Sequence, residues 1–156
     1  MKTCGYCGTD IQGDYCSFCE MRLDEKHVLD EHKRVDHMIE RTPDEAAIFL
    51  TTDELLTFET VDLLFLLKYA RSYRSEVYHL RVISYKAEER KSDQALEEIQ
   101  HQSYEEYKKA TRKVWIIENI LKDRMGYYPV KVTEEFLQTY LHRIKQSQMK
   151  RMVLKK

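Results

Sequence analysis

Beyond residue 19 the chain contains no cysteine; its four, Cys4, Cys7, Cys16 and Cys19, stand within sixteen residues. A disulfide framework spread through the body is thereby excluded. Glycine and proline are scarce, four and two in 156 residues, which disfavours collagen-like sequence, proline-rich disorder and extensive hairpins, and suits long helices. No fully apolar run, residues 63–67 included, exceeds five residues, much too short to cross a bilayer. Met1-Lys2 leads directly into the cysteines, with no apolar stretch resembling a secretory leader. A soluble cytoplasmic protein without stable membrane insertion is expected, and in that compartment paired cysteines favour metal over structural disulfides.

Catalytic signatures are also missing. The sequence has no His-Glu-x2-His, P-loop, dinucleotide-binding glycine pattern or nucleophile elbow. Two Glu-x2-His pairs, Glu76 with His79 and Glu98 with His101, set a carboxylate and an imidazole on neighbouring helical faces, as carboxylate-bridged di-metal bundles do. Helical phase turns His79 outward, however, and no two further carboxylates complete the set. Surface polar pairs are the expectation, and the chain is read as no enzyme.

What is present begins with the cysteines, arranged Cys-x2-Cys, eight residues, Cys-x2-Cys. Each close pair can offer two thiolates to one ion, and Gly13 supplies a turn between the pairs. Four soft ligands select zinc or iron over magnesium or calcium, and one tetrahedral structural Zn2+ suits a redox-silent site. Thiol–disulfide exchange is the lesser alternative, because no strand-to-helix redox setting surrounds either pair.

Cys4-Gly-Tyr-Cys7-Gly8 and Tyr15-Cys16-Ser-Phe-Cys19 resemble the two knuckles of the short zinc-ribbon family. The resemblance covers residues 1–23 and implies a β-hairpin with Cys4, Cys7, Cys16 and Cys19 as zinc ligands, but no single activity. Glu20 stands where many such ribbons use glycine, so the second turn is expected to relax differently. The ribbon's sparse positive charge argues against a dominant nucleic-acid role. Tyr6, Tyr15 and Phe18 can stack bases or pack over the metal turns.

Residues 24–156 read as a helical interaction domain. A polar helix is expected from Asp24 to about Arg41, with a stripe of Val28, His32, Val35 and Ile39, and with His27, His32 and His37 spread around it as ordinary surface or interface histidines. Thr42-Pro-Asp-Glu45 and Thr51-Thr-Asp-Glu54 look like helix entrances, opening either a packed hairpin or a partner-binding lid. Residues 60–90 carry a heptad seam of Leu63, Leu66, Ala70, Tyr73, Val77, Leu80, Ser84 and Ala87. After an interruption at residues 91–93, where Ser92 is a candidate cap, a second seam uses Tyr107, Ala110, Val114, Ile117 and Leu121, reinforced by Trp115. Gly126 and Pro129 should end that helix, and Thr133 should open another.

The fold class is therefore mainly α: a small N-terminal zinc ribbon followed by an elongated helical bundle or antiparallel coiled-coil-like hairpin. Charge is polarised along the chain. Residues 24–60 hold eleven acidic and four basic groups, and residues 101–156 hold thirteen basic and six acidic. This pattern suits a non-enzymatic zinc-binding regulatory or adaptor protein that presents a helical surface to a protein partner, with homo-oligomerisation open. The alternative is a DNA- or RNA-binding regulator using Lys108, Lys109, Arg112 and Lys113, or the terminal Lys150, Arg151, Lys155 and Lys156.

Overall fold

The computed structural model describes residues 1–37, 41–90 and 94–156. The chain divides into two compact units, one of residues 1–40 with 138–156 and one of residues 41–137.

The first unit is built on four short strands, β1 (Lys2–Cys4), β2 (Tyr15–Cys16), β3 (Met21–Arg22) and β4 (Val28–Asp30). β2 and β3 form the hairpin that carries the second cysteine pair. β1 pairs antiparallel with β4, setting Lys2 opposite Asp30, Thr3 opposite Leu29 and Cys4 opposite Val28. Thr3 is fully buried, and its hydroxyl donates to the Leu29 carbonyl at 3.3 Å and accepts from the His32 amide at 3.1 Å. Both functions of a buried hydroxyl are thus satisfied by the strand it must hold.

The helix expected from Asp24 is replaced here by a 3-10 turn (Glu25–His27), β4 and a tight turn at Glu31 and His32. Glu31 and His32 adopt φ of 50° and 61°, and two successive left-handed residues cannot continue a right-handed helix. Val28, His32 and Val35 therefore belong to strand, turn and irregular chain; Ile39 lies outside the described residues. A division after residue 23 leaves out β4, which completes the sheet around Cys4.

The second unit contains α1 (Thr52–Leu56), α2 (Thr60–Arg90), α3 (Gln94–Met125) and the start of α4 (Glu134–Gln148), with a 3-10 turn at Glu45–Phe49. Local chemistry sets most boundaries. Thr51 and Glu54 form a reciprocal capping box, at 3.3 and 2.9 Å. Asp44, rather than Thr42, caps the preceding turn by accepting from the Ala46 amide at 2.9 Å. Gly126 leaves α3 at φ 82°, and the Thr133 hydroxyl accepts from the Phe136 amide at 3.1 Å to open α4. Residues 91–93, including the candidate cap Ser92, lie outside the described residues.

The core sits where α2 is apolar on nearly every face. Leu63, Leu64, Leu66 and Leu67 are fully buried there, together with Leu55, Val114, Ile117, Leu121 and Leu137. Farther along, the seam departs from the expected register. Leu80 is 60% exposed and Ile83 64%, while Arg81 lies over the Tyr104 and Tyr107 rings at 5.1 and 5.8 Å. The arginine stem and cation satisfy two aromatic faces at once, so Arg81 takes the position that Leu80 was expected to fill. Trp115, expected to reinforce the α3 seam, is 55% exposed.

Arg71 ties the α3–α4 connection to the helices. Its guanidinium donates to Glu118 at 3.1 Å and to the carbonyls of Pro129 and Val130 at 2.8 and 3.1 Å. Replacing it with alanine would leave a largely buried Glu118 without its cation, and chemical denaturation should register a loss of about 2 kcal/mol. Arg71→Lys should recover only part, since an ammonium cannot span the same three acceptors.

Candidate metal centre

Four elements bring the cysteines together. Cys4 ends β1, Cys7 closes the first knuckle, Cys16 ends β2, and Cys19 closes the second knuckle before β3. Their Sγ atoms all lie within 4.8 Å of one another, with Cys4–Cys19 at 3.9 Å and Cys7–Cys16 at 3.6 Å. A tetrahedron of metal–sulfur bonds near 2.3 Å has edges of about 3.8 Å, so the donor set fits such an ion. A disulfide would need about 2.05 Å, and all four thiols are free.

The sulfurs differ in surroundings. Cys4 and Cys16 are fully buried beside Ile11 and Leu23, whereas Cys7 and Cys19 are partly exposed. Burial acts to raise the Cys7 thiol, but hydrogen bonding with the Thr9 side chain and backbone, and with Cys16 and Cys19, outweighs it and brings the thiol down to about 6. Cys19 is pushed up to about 12, first by its hydrogen bond with Cys7, then by burial, by Cys16 and Cys4, and by the charge on Cys4. Thiolates this close repel one another, so full deprotonation of the set calls for a cation at its centre.

The two knuckles share a backbone device. Gly8, just after Cys7, has φ 75°, and Glu20, just after Cys19, has φ 55°. Glu20 therefore adopts the left-handed turn that glycine would, in place of the different relaxation expected from its side chain. It carries the steric cost of a β-carbon there. Glu20→Gly should keep full metal occupancy and raise the ribbon's resistance to a competing chelator, by about 0.5–1 kcal/mol in apparent stability.

Other residues enter without any sequence signal. Gly5 donates to the His27 carbonyl at 2.7 Å, and a β-carbon on Gly5 would stand 2.9 Å from that oxygen, so the close approach requires glycine. Tyr6 lies flat on the His27 ring, centroids 4.4 Å apart, and Tyr15 and Phe18 are exposed instead of packing over the metal turns. Met152 donates its amide to the His32 carbonyl at 2.9 Å, and a β-carbon on Gly8 would lie 3.4 Å from the Met152 side chain. Residues 149–156 thus run past the first knuckle. Only their charge could have hinted at this.

The remaining candidates are not gathered. Glu76, His79, Glu98 and His101 are exposed, and among the described residues only the four cysteines form a cluster able to hold a metal. Lys108 pairs with Glu105 at 3.0 Å, and Lys113 donates to the Leu50 carbonyl at 2.7 Å, so two cations of the α3 basic cluster have partners within the chain. No helix among the described residues is long and apolar enough to cross a membrane.

In comparisons with known proteins, the chain matches no family model, no curated protein and no solved structure.

Proposed function

We propose that Cys4, Cys7, Cys16 and Cys19 hold one structural Zn2+ and that the helical unit offers its surface to a protein partner, in a non-enzymatic regulatory or adaptor role. The observation that carries the metal reading is the closed set of sulfurs: every corner of the tetrahedron is a protein thiol, which leaves no coordination position for substrate or activated water. Zinc fits a cytoplasmic site with four soft ligands. When bound, it supplies cross-linking, holding together a ribbon whose buried apolar cluster among the described residues is small, Ile11 and Leu23 with Val28 packed against them beside the sulfurs.

Support for a protein partner comes from the outer halves of α2 and α3. Leu80, Ile83 and Ile99 lie exposed there, where a soluble helix would ordinarily place charge. Metal quantification on freshly purified protein tests the first part, with about one zinc per chain expected. The second is tested by capture of native partners followed by binding between purified components, with Leu80→Glu and Ile83→Glu expected to abolish association. Loss of all specific association in zinc-replete wild-type protein would sink the adaptor reading.

A further inference from the structure

We propose that residues 138–156 and the ribbon together form a surface for single-stranded nucleic acid, with Arg34, Arg143 and Lys150 contacting phosphates. The proposal rests on the metal reading above, since the metal would fix the knuckle that forms part of the surface. In sequence the ribbon is a poor polyanion site, because residues 1–40 hold nine acidic groups against five basic. The fold changes that balance by bringing residues 138–156, with six basic groups and no acidic ones, into the same compact unit. Several ribbon acids are then neutralised locally: Asp14 pairs with Arg22, Asp30 with Lys2 and Glu31 with Arg151. Among the described residues Arg34, Arg143 and Lys150 are in no ion pair.

Two open clefts meet at Arg34. One, of about 520 Å3, runs between the first knuckle at Cys7, Gly8 and Thr9 and residues 151–154, with Glu31, the partner of Arg151, also in its lining. The other, of about 600 Å3, is lined by Arg34, Arg143, Gln146, Ser147, Met149 and Lys150, with no acidic side chain. Adjoining clefts that share an arginine make a track, longer than one isolated phosphate requires. Tyr6, which precedes Cys7 in the chain, is 56% exposed and stacked against His27, an aromatic plane available to a base. Charge that follows a backbone beside a stacking plane is how unpaired strands are bound. A duplex keeps its bases stacked and would leave Tyr6 idle; an acidic peptide would use the charge but not the ring.

The test uses the zinc-loaded full chain and labelled DNA and RNA strands of about 16 nucleotides, followed by fluorescence anisotropy. Single strands should bind more tightly than the matching duplex, with log affinity falling against log salt at a slope of about −2, as three phosphate contacts imply. The combined R34E, R143E and K150E changes should weaken binding at least about tenfold with zinc content unchanged. The charge-keeping R34K, R143K and K150R set should stay within about threefold, and Tyr6→Ala should lose at least about fivefold. Equal affinity for duplex, or indifference to the charge reversals, would overturn the proposal. A zinc-loaded chain that binds no strand would overturn it and leave the metal centre standing. A chain that takes up no metal yet binds the strand through the three cations would uphold the surface and overturn the metal reading.

Discussion

Cys16→Ser should abolish stoichiometric metal binding and unfold the ribbon, while α2 and α3 keep their circular-dichroism signal. Cys16 is fully buried, so the substitution both opens the metal site and leaves a hydroxyl beside Ile11 and Leu23. The ribbon has little else to fall back on. Its apolar cluster is small, its strands are two or three residues long, and structural zinc typically contributes on the order of 10–16 kcal/mol of apparent binding energy to so small a module. Metal content should drop from about one ion per chain to a small fraction, and amide signals of the ribbon should lose dispersion. Cys4→Ser, equally buried, should behave alike, whereas the partly exposed Cys7 and Cys19 should lose affinity with less local collapse. Full zinc retention in both buried-position variants would contradict the closed-site reading. Simultaneous loss of the α2–α3 signal would contradict the independence of the two units.

The second large effect belongs to the helical core. Leu66→Ala should cost about 3–5 kcal/mol by chemical denaturation, because Leu66 is fully buried and its truncation leaves a cavity in the core. Leu80→Ala, on the same helix and assigned to the same seam by spacing, should cost no more than about 0.5 kcal/mol, because its side chain is largely in solvent. A comparable cost at the two positions would place Leu80 in a packed seam and displace Arg81 from the rings of Tyr104 and Tyr107.

The contrast between these leucines shows what could be read from the sequence. Chelation by closely spaced cysteines is local chemistry, so the metal cluster was legible from spacing alone. The boundaries of α2 and α3 were nearly so, since long apolar periodicity and Gly126 act within a few residues of where they stand. Choosing Arg81 over Leu80 was not legible, because an arginine can cover aromatic rings with its stem and its charge, which a count of apolar residues does not register. β4 was hidden for another reason. Val28, His32 and Val35 mimic a helical stripe, and the strand's partner β1 lies 26 residues earlier in the chain, as the Thr3–Leu29 bond records. Glu20 misled in the opposite direction. Its side chain suggested an altered turn, yet the backbone demanded by the second knuckle prevailed over residue preference.

The bond from the Met152 amide to the His32 carbonyl also sets an order of assembly during synthesis. The four cysteines and β4 leave the ribosome before Met152 does, so the ribbon can form first. Met152 follows His32 by 120 residues, the difference of their positions, which at roughly 5–20 residues per second is about 6–24 s of elongation. During that interval the helical unit emerges and the flank of the ribbon beside Gly8 stays bare. Folding of the ribbon and docking of the late segment are thus separated in time, and the nascent chain spends seconds before the ribbon receives its basic neighbour.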